Sequence, residues 1–153
     1  MASHDITTRW AGKMQFDALV NGHTITMDTI EKGGGEDKGT IPKPLVLTAL
    51  SGCSGMDVIS ILTKKRKAVT SFDMQVHGEL STEQPIEYIG IHMSYNFVGD
   101  DDARDAAMSA VTLSQEKYCG VSHMLKKALP VTWEVNYNGE QIFNNKIIEI
   151  QLN

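Results

Sequence analysis

The two cysteines of the chain are its most reactive side chains, and each has a second functional group four residues later. Cys53 is followed by Asp57, and Cys119 is followed by His123. Residues four apart lie on the same face of a helix. Three interpretations are open: a redox pair, a metal site in which other side chains assist the thiols, or two unrelated buried thiols that behave as small hydrophobes.

Donor chemistry disfavours the metal site. Structural zinc is bound mainly by Cys and His, so the Cys-x-x-x-Asp spacing is a poor zinc element. We therefore predict no metal ion and no other cofactor, and we keep a metal site built from Cys53, Cys119, Asp57 or His123 as a rival interpretation. No serine lies in a nucleophile-elbow sequence, and neither cysteine lies in a protease signature.

A long apolar segment must position Cys53. It predicts a helix from Pro42 or Pro44 to Arg66, since proline suits a first helical turn and cations suit a helix C-terminus. One side of this helix carries small residues, Ala49, Gly52 and Gly55. Glycines inside a helix usually have a packing reason, and we predict the close approach of a second helix there.

A pair of shorter helices must position Cys119. The sequence predicts them at about residues 101–113 and 114–128, with Ser114 as the N-cap of the second and Pro130 beyond its end. Cys119 then lies in the early turns of the last helix, where the field of the helix N-terminus favours a thiolate. Two thiols that face each other across a helix crossing would form a redox centre.

Alternating apolar residues predict strands in the rest of the chain. Asn21-Gly22 and Asn138-Gly139 are turn signals between alternating runs, and strands are predicted over 5–30, 69–98 and 131–153. The predicted order is three strands, the long helix, two strands, two helices and closing strands. We therefore predict an α+β fold in a single domain covering residues 1–153.

Composition excludes several classes of protein. The 153 residues carry 14 Lys and Arg against 19 Asp and Glu, a net charge of −5, which argues against a nucleic-acid partner. Two cysteines are too few for a disulfide-rich scaffold. The stretch from Pro44 to Thr63 has the length of a membrane span, but it contains Asp57, so we predict no membrane insertion. The N-terminus shows no signal-peptide pattern, which predicts a cytoplasmic location.

Both cysteine segments resemble the motifs of a known family. The segment from Pro42 to Val58, PKPLVLTALSGCSGMDV, resembles the first-cysteine helix of the OsmC/Ohr family, the osmotically inducible and organic hydroperoxide resistance proteins. The segment from Glu116 to Ser122, EKYCGVS, resembles its second-cysteine motif. The motifs have the order and separation of the family, and the resemblance covers nearly the whole chain. The sequence is most similar to the OsmC-like branch.

The resemblance implies a fold and an activity. The family fold has curved antiparallel sheets wrapped around central long helices in an intertwined homodimer. The implied activity is that of a thiol peroxidase for organic hydroperoxides, which needs no cofactor. Cys53 would attack the peroxide, Cys119 would resolve the sulfenic acid into a disulfide, and an external dithiol would reduce it.

The chain departs from the family at the residues that activate the first thiolate. Family members use an Arg from the first hairpin, which matches Arg9 or, less directly, Lys13. They also use a Glu just before the long helix, where this chain has Lys43-Pro44.

Other cations are candidates to replace these activating groups. Lys43, or His123 from the facing helix, could lower the pKa of Cys53 instead. The missing Glu leaves an alternative open: a non-catalytic relative that binds a small molecule or senses redox state.

Overall fold

The computed structural model describes residues 2–146. Its contacts divide the chain into two compact units, residues 1–46 and 47–153, which are described separately. The predicted single domain stays a prediction, and the part of the predicted closing strand beyond residue 146 lies outside the described residues.

The first unit contains the three predicted N-terminal strands. They are β1 (Thr7–Gly12), β2 (Gln15–Val20) and β3 (His23–Met27), and they form an antiparallel sheet in the order β1-β2-β3. Asn21 and Gly22 have φ values of 49° and 84°, so the turn between β2 and β3 uses the left-handed backbone that this dipeptide tolerates. The predicted hairpins are confirmed.

The glycine-rich loop after β3 is organised by one carboxylate. Asp28 accepts hydrogen bonds from the backbone N–H groups of Thr29, Glu36 and Lys38 at 2.8, 3.0 and 3.2 Å. These bonds supply the partners that a loop without regular structure would otherwise lack. Asp28 thus fixes the loop within its own unit.

The predicted long helix is confirmed as α1 (Pro44–Lys64). Its buried residues recur every four positions, at Leu50, Ser54, Val58 and Leu62, which is the spacing of one helix face. By length and composition alone, α1 is long and apolar enough to cross a membrane. Of the apolar stretch that meets this criterion, 28% is buried inside the structure. The opposite face, which includes Met56 at 77% exposure, is uncovered in this chain.

The second unit contains a four-stranded sheet in the order β4-β5-β6-β7. Its strands are β4 (Ser71–Leu80), β5 (Tyr88–Val98), β6 (Val131–Tyr137) and β7 (Glu140–Asn144). Strands β5 and β6 are parallel, whereas the other neighbouring strands of this sheet are antiparallel. The reason is the connection: the helical segment between them returns the chain to the starting edge, as parallel pairing requires.

The alternation predicted for β5 is confirmed. Its inward residues Ile91, Met93, Tyr95 and Phe97 are all buried and belong to one core cluster. Phe72 of β4 stacks on Phe97 with a centroid distance of 4.5 Å. The inner face of this sheet is the surface against which the buried face of α1 packs within the core.

The helical segment after β5 differs from the prediction. A 3₁₀ turn at Asp101–Ala103 leads into α2 (Arg104–Leu113), a π-helical turn at Ser114–Tyr118, and the short α3 (Gly120–Leu125). Ser114 has helical φ and ψ angles and is fully buried, so its predicted role as an N-cap is wrong. The chain stays helical through Ser114 because its hydroxyl finds partners on α1.

The predicted packing of the α1 glycines is also wrong. A Cβ built at Gly55 would lie 2.6 Å from the Cε atom of Met74 on β4, so Gly55 accommodates a strand side chain and not a second helix. A Cβ built at Gly52 would meet no described atom within 4 Å. Contact between α1 and the π-helical turn is made by Ser54 and Asp57.

Candidate redox site

The two cysteines meet, together with one carboxylate. The sulfur atoms of Cys53 and Cys119 and an oxygen of Asp57 all lie within 4.8 Å of one another. Cys53 and Asp57 are one turn apart on α1, and Cys119 lies 66 positions further along the chain than Cys53. Both thiols are free. The predicted proximity of the two cysteines is therefore present in the fold.

Cys119 is the N-cap of α3. Its φ and ψ angles are −70° and 101°, outside the helical region, and its sulfur accepts a hydrogen bond from the N–H of Ser122 at 3.4 Å. Its own N–H donates to the carbonyl of Ser114 at 2.9 Å, which closes the preceding π-helical turn. Cys119 is thus fixed by the backbone on both sides.

The environments of the two thiols differ. Cys119 is 2% exposed, whereas Cys53 is half-buried. Burial raises the pKa of the Cys119 thiol to about 11, the hydrogen bond from Ser122 opposes the rise, and the hydrogen bond with Cys53 and the charge of Asp57 add to it. The predicted thiolate character of Cys119 is therefore wrong, because desolvation outweighs the helix N-terminus.

A buried hydrogen-bond network lies beside the thiols. The hydroxyl of Ser54 lies 2.6 Å from that of Tyr95 and 2.9 Å from that of Ser114. The side-chain amide of Gln115 donates to Tyr95 at 2.6 Å, and its oxygen accepts from Ser122 at 2.7 Å. The network joins α1, which carries Cys53, to β5 and to the π-helical turn and α3, between which Cys119 lies.

Burial keeps Tyr95 of the network uncharged, and Ser114 connects the network to Asp57. Burial raises the pKa of Tyr95 to about 12, although the hydrogen bonds with Ser54 and Gln115 oppose this rise. Ser114 donates to the Oδ2 atom of Asp57 at 3.1 Å. Asp57 is therefore held by a residue that is itself fixed by the network.

The convergent donors are one short of a four-ligand structural zinc site. Two thiols and one carboxylate oxygen supply three donors, and no fourth His, Cys, Asp or Glu joins the group among residues 2–146. Structural zinc sites are almost always four-coordinate. His123, the fourth donor of the metal interpretation, is exposed and lies outside the group. Its role as a cation that acts on Cys53 stays a prediction.

Two of the expected activating groups, Arg9 and Lys13, lie in the first unit. Arg9 is exposed in β1, opposite Asp17 of β2 in the first unit, and its role stays a prediction. Lys13 forms an ion pair with Glu36 at 2.7 Å in the same unit. The first turn of α1 contains no acidic residue.

Sequence reasoning missed the polar network and assigned Asp57 only to a possible metal site. One signal was available: Ser54 interrupts the otherwise apolar row Leu50, Val58 and Leu62 on α1. A buried hydroxyl in such a row needs a hydrogen-bond partner. The identity of the partner, Tyr95, depends on a strand 41 residues away.

A comparison with protein families finds one match. A family model described as OsmC-like protein matches residues 35–134, which include both cysteines. Protein YhfA of Escherichia coli strain K12 is 41% identical over 126 residues, covering 81% of this chain and 90% of YhfA.

Solved structures share the fold. A hypothetical protein from Aquifex aeolicus VF5 is 31% identical with a TM-score of 0.73, covering 90% of this chain and 99% of its own. An organic hydroperoxide resistance protein from Legionella pneumophila has a TM-score of 0.65 at 13% identity, covering 89% and 98%. At that identity the likeness concerns the fold alone.

Proposed function

The chain belongs to the OsmC-like protein family, and from this premise we propose that it is a cysteine-based thiol peroxidase that reduces organic hydroperoxides. In this proposal Cys53 is the attacking thiol and Cys119 is the resolving thiol. Family membership and two adjacent thiols are consistent with a redox role in stress response. The assignment of each thiol rests on the contrast between their environments.

The observation that carries the proposal is this pairing of unlike thiols. The half-buried Cys53 is reachable from outside, while Cys119 is buried within 4.8 Å of it. The hydrogen bond between them and the burial of Cys119 both favour a protonated Cys119, and its pKa is raised to about 11. The thiol that keeps its proton suits the second step and not the first.

The proposed reaction has two steps. The Cys53 thiolate attacks the terminal oxygen of the hydroperoxide, the O–O bond breaks, and the alkoxide takes a proton and leaves as an alcohol. Cys53 is then a sulfenic acid. Cys119 attacks that sulfur, a disulfide forms, and the hydroxyl leaves as water. An external dithiol returns both cysteines to thiols.

Apolar side chains near Cys53 support an organic substrate. Cys53 packs against the core cluster, which contains Leu50, Met93 and Val58, and Leu47 and Ile61 pack against the same cluster. Such surroundings favour the organic part of a hydroperoxide over water.

A thiol count tests the proposal. The reduced protein is titrated with cumene hydroperoxide, and free thiols are counted after each addition. We expect both thiols to disappear at one equivalent of peroxide, no consumption by Cys53→Ser, and over-oxidation of Cys53 to sulfinic acid in Cys119→Ser. Unchanged thiols in the native chain, or equal activity in both variants, would contradict the assignment.

One observation favours a second function, that of a non-catalytic relative that binds a small molecule or senses redox state. Lys43 and Pro44 occupy the place where peroxidases of this family carry a glutamate, and the first turn of α1 contains no acid. Under this alternative, one equivalent of cumene hydroperoxide leaves the thiols reduced while a disulfide still forms with a stronger thiol oxidant such as diamide.

We further propose a cytoplasmic homodimer. The uncovered face of α1 carries exposed apolar side chains, including Met56 and Ile59, next to the open position at Gly52. A continuous exposed apolar face is typical of a protein–protein interface. A second copy of the chain is the occupant that the family resemblance implies.

A further inference from the structure

We propose that Asp57 is the base that accepts the proton of Cys119 when the disulfide forms. The inference rests on the proposed redox function and assigns a residue to its second step. An oxygen of Asp57 lies within 4.8 Å of both sulfur atoms, and Asp57 is the only carboxylate in that group among the residues described.

Cys119 needs such a base. The attack on an oxidised Cys53 requires a thiolate, and burial keeps Cys119 protonated at neutral pH, with its pKa raised to about 11. Cys119 is only 2% exposed, so a base dissolved in bulk solvent has little access to its thiol at neutral pH. A carboxylate next to the sulfur takes the thiol proton directly, so no base has to enter from bulk solvent.

Asp57 is positioned for this transfer. It lies one helical turn after Cys53, and Ser114 fixes its Oδ2 atom with a hydrogen bond of 3.1 Å. It also lines a cavity of about 340 Å³ with Lys64, Lys65 and Tyr118. The carboxylate therefore connects the buried thiol to a space from which a proton can be exchanged with solvent.

The other titratable groups around the pair are unsuited to the role. Tyr95 is held protonated by burial, which raises its pKa to about 12. Lys126 donates to the carbonyl of Gln115 at 2.7 Å, and a charged lysine has no free electron pair. Cys53 belongs to the group within 4.8 Å, and the other titratable groups that line the cavity beside Asp57 are Lys64, Lys65 and Tyr118. Glu116 is exposed and lies outside the group within 4.8 Å.

The step balances without an additional reactant. The S–H bond of Cys119 breaks and its proton moves to Asp57. The sulfur electron pair forms the S–S bond to Cys53, and the S–O bond of the sulfenic acid breaks. Asp57 returns the proton to the departing hydroxide, which leaves as water.

The test separates this step from peroxide chemistry. Methyl methanethiosulfonate converts Cys53 to a mixed disulfide, and attack by Cys119 then releases methanethiol, which mass spectrometry follows as loss of the adduct. Asp57→Asn is compared with the native chain from pH 6 to 11. Asp105→Asn, an exposed acid on α2, is the matched control.

We expect Asp57→Asn to slow the release at least tenfold at pH 7, with the difference in rate narrowing towards pH 11, where a large fraction of Cys119 is already thiolate without a base. Asp57→Glu retains a carboxylate and should recover most of the rate. If the Asn variant does not fold, Asp57→Ala with added formate, which fits the adjoining cavity, gives the same readout. Native rates in the Asn or Ala variant, or slowing by the same factor at every pH, would overturn the assignment.

The same variants treated with cumene hydroperoxide and the sulfenic-acid trap dimedone complete the design. Trapped Cys53 should accumulate in Asp57→Asn. Failure of cumene hydroperoxide to oxidise native Cys53 would contradict the peroxidase proposal, whereas the methanethiol arm would still decide the role of Asp57.

Discussion

The hydroxyl of Ser54 lies 2.6 Å from the hydroxyl of Tyr95, and both residues are buried. This bond fixes the residue next to Cys53 to strand β5, and Gln115 extends the link to the segment that carries Cys119. The relative position of the two thiols is thus set by polar side chains that do not themselves react.

Removing the Tyr95 hydroxyl should therefore destabilise the fold. In Tyr95→Phe, Ser54 and Gln115 each lose a buried partner, which costs about 1–3 kcal/mol. Urea denaturation of the reduced protein measures the loss. Tyr118→Phe, at a half-exposed tyrosine, is the control and should change stability by less than about 0.5 kcal/mol. Equal stability of the two variants would contradict the role of the network.

The raised pKa of Cys119 predicts the order of alkylation. A thiol with a pKa of about 11 is about one-thousandth thiolate at pH 8. Iodoacetamide should therefore modify the half-buried Cys53 first, and labelling of Cys119 should grow as pH rises towards 11. Peptide mapping by mass spectrometry reads the sites, with denatured protein as the fully labelled control. First labelling at Cys119 would refute the prediction.

The same pKa shift has a consequence for stability. The folded chain holds the Cys119 proton more tightly than an ordinary thiol with a pKa of 9.0 does. Its contribution to stability is therefore complete below pH 9 and declines as pH rises through about 11. Cys119→Ala should flatten the decline in the denaturation midpoint over this range. An unchanged slope would contradict the shift.

The two α1 glycines form a matched pair. Gly55→Ala forces the Cε atom of Met74 to move, because the new Cβ would lie 2.6 Å from it. Gly52→Ala meets no described atom within 4 Å and gains helix propensity of about 0.5–1 kcal/mol. We expect Gly52→Ala to be the more stable variant by about 1 kcal/mol in urea denaturation. A lower stability of Gly52→Ala than of Gly55→Ala would contradict the surroundings assigned to the two glycines.

The proposed homodimer predicts a charge-sensitive interface on α1. Met56→Lys places a charge on the uncovered apolar face and should raise the dissociation constant at least tenfold, or about 1.4 kcal/mol. Light scattering after size exclusion, over a range of concentrations, measures it. Asp105→Lys, on an exposed position of α2, should leave the mass unchanged. A native chain that is monomeric at every concentration would contradict the proposal.

Local patterns were sufficient to predict most elements of the fold. The apolar run between Pro44 and Lys64 and the two Asn-Gly turns depend on neighbouring residues, and the structure has them where predicted. The predicted helix boundary at Ser114 failed because a buried partner on α1 keeps that residue helical. The parallel pairing of β5 and β6 likewise depends on how a long connection packs.

The sequence by itself determined the family, the two reactive thiols and the absence of a glutamate between Asp37 and Cys53, since these are properties of residue types and their order. Only the tertiary structure decided that Asp57 joins the thiols and that Cys119 is the buried one with the raised pKa. Desolvation and hydrogen bonding depend on which distant segments pack together. No periodicity or spacing within one segment contains that information.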